Sequence, residues 1–286
     1  MRRFIAAAAA LFPFAAFAHH IPEGGALRIE PWGAACLVAS ITLYAIGAMR
    51  LWRRAGRFRG ITRADAIRFA SGWLLLCVAL LPPLDPMGER SFAAHMVQHE
   101  ILMVLAAPLL VLGRPLEAWA WALAPSWRVR LAAVTRSRVL RSAWTVMTEP
   151  LGAWTLHAVA LWTWHIPLLF EAALASTPVH IAQHTSFLVT ALFFWWSVFD
   201  RAGRRAGAVS LASLFTTMAH SGALGALLTF SAAPWYPAYS GAYGLTAIED
   251  QQLGGLVMWA PAGLAYVAAA LFIASRWLQP PRRTAG

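Results

Sequence analysis

The chain has 286 residues, of which 59% are hydrophobic and only 12% are charged. Soluble domains carry about 25% charged residues, so a water-soluble domain is excluded and the lipid bilayer must be the main solvent. The formal net charge is +11, and all 23 basic residues are arginine. In a soluble protein this positive charge would suggest nucleic-acid binding. In a membrane protein the positions of the arginines indicate which connections face the cytoplasm, so they are considered before the total charge.

The amino terminus predicts a secretion signal. Two arginines precede an apolar stretch over residues 4–17, which is too short to span a bilayer and runs into the small-x-small cleavage pattern A-F-A. We therefore predict a signal peptide over residues 1–18 and an external segment over residues 19–32. An uncleaved signal anchor is the alternative, and it leaves the next segment on the same side of the membrane.

Seven later windows are long and apolar enough to cross about 30 Å of hydrocarbon. They cover residues 33–52, 66–84, 91–112, 150–168, 179–199, 209–230 and 252–277. The predicted fold class is all-α: a polytopic membrane helical bundle over residues 33–277, with seven transmembrane helices after the signal peptide.

Arginines concentrate in alternate connections between these windows. They are Arg50, Arg53, Arg54, Arg57, Arg59 and Arg63 after the first, Arg114, Arg128, Arg130, Arg136, Arg138 and Arg141 after the third, Arg201, Arg204 and Arg205 after the fifth, and Arg276, Arg282 and Arg283 at the end. The positive-inside rule places these segments in the cytoplasm. We predict a multi-pass protein of the bacterial inner membrane, with its amino terminus outside, a cytoplasmic tail over residues 278–286 and no nucleic-acid partner.

The largest cytoplasmic connection, residues 113–149, mixes tryptophans with its arginines. Trp119, Trp121, Trp127 and Trp144 belong to this segment. The mixture is typical of amphipathic helices that lie in the membrane interface. We predict a cytoplasmic interfacial loop that contacts lipid head groups, with a partner-docking surface as the alternative.

The nine histidines have the opposite distribution, since none lies in a cytoplasmic connection. Five are at the predicted outer ends of spans three, four and five: His95, His99, His165, His180 and His184. Histidine in a bilayer is costly and indicates function. Two groups share the pattern H-x-x-Q-H, and residues four apart on a helix lie about 6 Å apart on one face. Each of these two helices therefore presents two imidazoles in one direction.

These imidazoles are candidate metal ligands. Met103 extends the face of the first pair by one turn, and imidazole with thioether but no thiolate suits copper. Gln98 and Gln183 are placed to orient the rings. Asp250, before the last span, is either a further ligand or a helix cap. Zinc and haem stay open, as does the interpretation that interfacial histidines only bind water and lipid head groups.

The sequence resembles the seven-helix membrane CtaG family of cytochrome c oxidase assembly proteins. The resemblance runs from about Trp73 to Trp277 and depends on H-M-V-Q-H-E-I-L-M, A-P-L-L-V-L-G-R-P, W-H-I-P, H-I-A-Q-H-T-S-F and D-Q-Q-L-G-G-L-V-M-W. It implies a non-enzymatic factor that helps build haem-copper oxidases, plausibly by handling copper outside the membrane. Carried over by position, the implied metal residues are His95, His99, His165, His180, His184 and Asp250. His19 and His20 lie outside the resemblance.

Three functions follow from these observations. The first is a copper chaperone that binds copper at the outer membrane face and delivers it to a cytochrome c oxidase subunit. The second is a b-type haem protein for electron transfer, because histidines of neighbouring helices also hold haem. The third is a metal transporter with Glu100, His157 and His220 as steps through the bilayer. Homo-oligomer formation is left open.

Overall fold

A computed structural model describes residues 31–199 and 204–277, and these residues form helices joined by turns and loops, with no β-strand among them. The predicted signal peptide, nearly all of the external segment 19–32 and the tail 278–286 lie outside the described residues. His19 and His20 lie outside them too.

The helices follow one another with short connections. They are α1 (Pro31–Ala55), α2 (Arg63–Leu80), α3 (Leu84–Gly88), α4 (Phe92–Glu100), a π-helical segment (Ile101–Ala106), α5 (Ala107–Leu112), α6 (Pro115–Ala122), α7 (Pro125–Val134), α8 (Arg138–Thr148), α9 (Pro150–Trp164), α10 (Pro167–Ala175), α11 (Thr177–Phe199), α12 (Arg204–Thr229) and α13 (Ala247–Trp277). The prediction of an all-α protein is confirmed.

Four helical stretches are long and apolar enough to cross a membrane: Pro31–Ala55, Phe92–Leu112, Gly207–Thr229 and Ala247–Ser275. Helices α9 and α10 together make a fifth, although they are bent by 76°. The other two predicted windows fall on α2 and α11. Charged residues at the start of α2 and polar residues in the first turns of α11 reduce their apolar character. The structure thus supports a multi-pass membrane protein with four to five candidate spans, and the predicted seven are not confirmed.

The π-helical segment follows from Pro108. In a π-helix each N–H bonds five residues back, as the Ala107 N–H does to the Leu102 carbonyl. Proline has no N–H, so the Met103 carbonyl, five residues before Pro108, has no backbone donor at that point. The Trp195 indole of α11 donates to that carbonyl at 2.8 Å. The carbonyl that Pro108 leaves without a backbone donor thus connects α11 to the third predicted span.

Two adjacent glycines let α13 approach its neighbours closely. A Cβ at Gly254 would overlap the Phe92 ring at the start of α4, and one at Gly255 would lie 2.6 Å from the Gly225 carbonyl oxygen of α12. A side chain at either position would push the helices apart. The L-G-G pattern of the last span is therefore a packing requirement that fixes α13 against α4 and α12.

The segment 113–149 contains three short helices. Helix α6 packs so closely against α1 that a Cβ on Gly47 would overlap the Ala118 carbonyl. Helix α8, by contrast, has no buried residue. The interfacial character predicted for the whole segment thus fits α8, whereas α6 belongs to the packed bundle.

Candidate metal centre

Five histidines from three parts of the chain meet in one cluster, which we call the histidine cluster: His95, His99, His165, His180 and His184. Helix α4 provides the first two, the α9–α10 break provides His165, and α11 provides the last two. The His180 and His184 ring centroids are 4.1 Å apart, and His99 lies 5.1 Å from His184 and 6.0 Å from His165. The structure therefore brings together all five histidines that the sequence singled out.

The cluster is closed on most sides and opens at His180. His95 and His99 are each 1% exposed, whereas His180 is only half-buried. Phe170 packs 5.0 Å from the His95 ring, and Phe187 packs 4.6 Å from the His99 ring. An ion that reaches the cluster would therefore meet His180 first and become enclosed by aromatic rings beyond it.

Every Nε2 atom of the histidine cluster is buried and lacks a hydrogen-bond partner among the described residues. Both ring nitrogens of His99 are in this state. A buried polar atom without a partner costs about 1–3 kcal/mol, so five in one place need an explanation. A metal ion is one, since His95, His180 and His184 can place one ligand atom each within 4.8 Å of one another.

Two of the rings have a partner that sets their tautomer. His165 Nδ1 lies 2.7 Å from the Leu161 carbonyl oxygen and must donate to it. The Tyr239 hydroxyl donates to the Gly88 carbonyl at 2.8 Å, so its oxygen is free to accept from His95 Nδ1 at 3.2 Å. In both rings the proton then resides on Nδ1. Their Nε2 atoms carry the lone pairs that a metal requires.

The position of His165 follows from the W-H-I-P sequence. Pro167 lacks an N–H and forces the preceding residue out of the helical region, and Ile166 is extended, with φ −63° and ψ 126°. Helix α9 therefore ends at Trp164, which leaves the Leu161 carbonyl for the side chain of His165. The bend that interrupts the span also aims this imidazole at the cluster.

Asp250 lies outside the group of potential metal ligands found among the described residues. Its carboxylate accepts hydrogen bonds from the Ser91 hydroxyl at 2.7 Å, the Phe92 N–H at 2.7 Å and the Ala93 N–H at 3.1 Å. These N–H groups belong to the first turn of α4, where the positive end of the helix dipole also stabilises a negative charge. Through these contacts Asp250 caps a neighbouring helix, the one that carries His95 and His99.

The two glutamines differ from each other. Gln98 donates to the Ala79 carbonyl at 2.8 Å and to Asp85 at 3.2 Å, so it ties α4 to α2 and α3 and does not orient an imidazole. Burial raises the pKa of the Asp85 carboxyl, and the bond from Gln98 partly offsets that rise. Gln183 is fully buried next to His95, and neither of its amide atoms makes a close hydrogen bond in the described part of the chain. Met103 is also buried, in the π-helical segment.

Comparison with known proteins decides the family. The model of the cytochrome c oxidase caa3 assembly factor family, Caa3_CtaG, matches residues 42–280. The chain belongs to the CtaG family. An uncharacterized protein of Mycobacterium bovis and one of Mycobacterium tuberculosis are each 28% identical to it over 273 residues, or 88% of this chain and 39% of theirs. A third, from Mycobacterium leprae, is 25% identical over 271 residues. The chain thus spans about two fifths of these relatives' length. No solved structure matches it.

Sequence reasoning missed two tyrosines of this CtaG protein. Tyr236 and Tyr239 lie in the connection between α12 and α13, and their hydroxyls reach the His165 carbonyl and the His95 ring. Burial is the main cause that raises the pKa of both phenols, so they remain protonated donors. The available signal was two aromatic residues three positions apart on the predicted histidine side of the membrane. Nothing in the sequence tied them to a particular histidine.

The deeper polar residues of the CtaG chain have other partners. His157 Nδ1 lies 3.2 Å from the Thr190 hydroxyl, and the Trp162 indole donates to His220 Nδ1 at 3.4 Å. These bonds give both histidines a hydrogen-bond partner within the helical bundle. Glu100 is partly buried at the end of α4, with one carboxylate oxygen unpartnered among the described residues.

Proposed function

We propose that this CtaG chain binds copper with the histidine cluster and delivers it to a subunit of a haem-copper cytochrome c oxidase, without catalysing a reaction itself. The supporting observation is the set of five buried Nε2 atoms that have no partner among the described residues. Family membership supplies the assembly role. The cluster supplies a chemical means by which assembly could proceed.

The ligand chemistry favours copper. Imidazole binds Cu(II) and zinc, and copper exceeds zinc in the general order of affinity at such sites. Cys36 and Cys77 are free, but they lie on α1 and α2 and are not part of the histidine cluster. A site of neutral imidazoles without thiolate holds copper less tightly than a thiolate site would. That suits an ion that must be passed on.

The alternatives are less well supported. Haem needs an open planar gap between two axial histidines, whereas these rings contact one another and two phenylalanines. A transporter needs polar steps beyond the cluster, but His157 and His220 are engaged with Thr190 and Trp162. Zinc also binds imidazole, so metal analysis has to separate it from copper.

The proposed topology has seven spans, with α2 and α11 counted beside the four apolar stretches and the α9–α10 pair. In this arrangement the amino terminus and the histidine cluster face outward, and the arginine-rich connections face the cytoplasm. The copper would then be accepted and released at the outer side of the inner membrane. Half-buried His180 provides the opening.

Metal analysis of the purified full chain tests the proposal. We expect copper to bind stoichiometrically in a competition titration with a chromogenic chelator, and no Soret band to appear. His184→Ala should lose most of the affinity. His157→Ala is the matched control, because His157 is equally buried but bonds Thr190 outside the cluster, and it should bind copper like the parent. A Soret band, or equal losses in the two variants, would overturn the copper function.

A further inference from the structure

Two arginines from distant parts of the chain converge on one indole at the arginine-rich end of α1. The Arg128 guanidinium carbon lies 4.4 Å from the Trp121 ring centroid, and that of Arg54 lies 6.0 Å from it. Cation–π contacts of this kind hold a guanidinium in place but leave its N–H groups free to bind an anion. The site therefore presents two oriented positive groups beside one aromatic ring.

Neither charge is neutralised within the described residues. The ion pairs found there join Arg68 and Arg114 to Asp65, and Arg114 to Glu117. Arg128 also has a buried Nε atom without a hydrogen-bond partner in the same part of the chain. A buried guanidinium N–H without an acceptor is costly. An anion with several oxygen atoms could accept hydrogen bonds from both guanidinium groups.

The surroundings place this site at the level of lipid head groups. Arg54 belongs to the last turn of α1, one of the apolar stretches long enough to cross the membrane. Trp127 and Val129, the two sequence neighbours of Arg128 on α7, are 58% and 71% exposed. Exposed tryptophan and valine beside arginine are typical of segments that insert into the interface.

We propose that Arg54, Trp121 and Arg128 form a binding site for the phosphate group of an anionic phospholipid. Guanidinium groups bind phosphate through paired N–H donors, which explains why arginine is used here. Arg50 donates to the Ala122 carbonyl at the end of α6 and thereby helps to hold α6 beside α1. A lipid bound at this point would join α1, α6 and α7. The site is independent of the histidine cluster and of the proposed copper function.

Lipid binding to the delipidated full chain in detergent tests this site. Phosphatidylglycerol is titrated in and the bound lipids are counted by native mass spectrometry, with phosphatidylcholine as the neutral probe and inorganic phosphate as competitor. We expect tight binding of phosphatidylglycerol only. The double variant Arg54→Gln, Arg128→Gln should bind it about thirtyfold more weakly, because each basic residue near an anionic lipid contributes about a fivefold factor.

The double variant Arg138→Gln, Arg141→Gln is the control, since it removes the same charge from the exposed helix α8. It should weaken binding by less than about threefold, because these exposed arginines would attract the bound lipid only from a distance at which salt screens the charges. Trp121→Leu keeps both charges but removes the ring that orients them, so it should also weaken binding.

Equal losses in the two double variants would show diffuse attraction and overturn the site. Binding of phosphatidylcholine, or full displacement by millimolar phosphate, would overturn the choice of an anionic lipid.

Discussion

The Tyr239 hydroxyl lies 3.2 Å from His95 Nδ1 and 2.8 Å from the Gly88 carbonyl oxygen. Because the hydroxyl donates its only hydrogen to the Gly88 carbonyl, its oxygen accepts a hydrogen bond from the Nδ1–H of His95. The bond fixes the His95 tautomer and leaves Nε2 unprotonated, in a ring whose centroid lies within 5.5 Å of those of His99, His180 and His184. A residue in a connecting loop thereby prepares a ligand atom on α4.

We expect Tyr239→Phe to weaken copper binding by about tenfold, since loss of a partner that orients a ligand costs about 10- to 100-fold in metal affinity. Competition titration of the purified variant measures this. Tyr236→Phe is the control, because its hydroxyl bonds the His165 carbonyl and not a ring nitrogen. It should reduce thermal stability with little change in affinity. If Tyr239→Phe binds copper like the parent, the orienting role fails.

Asp250 gives a second expectation, which separates a helix cap from a metal ligand. Asp250→Ala removes the acceptor of three hydrogen bonds at the start of α4. We expect the free energy of unfolding to fall by about 2 kcal/mol, seen as a lower midpoint in a thermal unfolding assay.

Glu249→Ala is the matched control, since the exposed carboxylate of Glu249 accepts hydrogen bonds from Thr246 within its own helix. Its loss should change stability by less than about 1 kcal/mol. A variant Asp250→Ala with unchanged stability but reduced copper content would restore Asp250 as a ligand.

The sequence predicted the histidine cluster well because helical spacing is a strong local signal. His95 and His99 are four positions apart, as are His180 and His184, and this spacing fixes their directions without knowledge of the partner helix. The partners of Asp250 and Gln98 could not be predicted, since they depend on how α13 and α3 dock on α4. The number of spans is difficult to predict for another reason. Helices α2 and α11 are long enough to cross a membrane but carry charged or polar residues. Hydropathy therefore gives four to five candidate spans, whereas the arginine pattern predicts seven.

Topology can be tested apart from metal binding. The arginine pattern predicts that Gly241 faces outward and that the carboxyl terminus faces the cytoplasm. A reporter active only after export should therefore work when it is fused after Gly241, and one active only in the cytoplasm should work at the carboxyl terminus. Export of the carboxyl-terminal reporter would contradict the seven-span arrangement, and an inactive export reporter after Gly241 would place the histidine cluster on the wrong side for the proposed delivery.

Copper binding should depend on pH in the direction set by imidazole. A ligand nitrogen must be unprotonated, and free histidine has a pKa of about 6.5. Protons therefore compete with copper at acid pH, and affinity should fall as the pH decreases through the range in which the buried ligand imidazoles become protonated. Competition titrations at several pH values measure it. An affinity that does not fall at any acid pH at which the protein stays folded would speak against histidine ligands.

Replacing His99 and His184 together tests whether the cluster acts in oxidase assembly. Both rings are buried, but neither Nε2 has a partner among the described residues, so their loss leaves few groups unpaired and the protein should still accumulate in the membrane. Copper content and haem-copper oxidase activity should fall together in His99→Ala, His184→Ala cells. Added copper should partly restore the activity if delivery is the defect.

His220→Ala is the contrasting variant, because it leaves the Trp162 indole without its acceptor and should lower the amount of folded protein. Normal oxidase activity in the double variant, at unchanged protein level, would leave the CtaG chain a scaffolding role without metal.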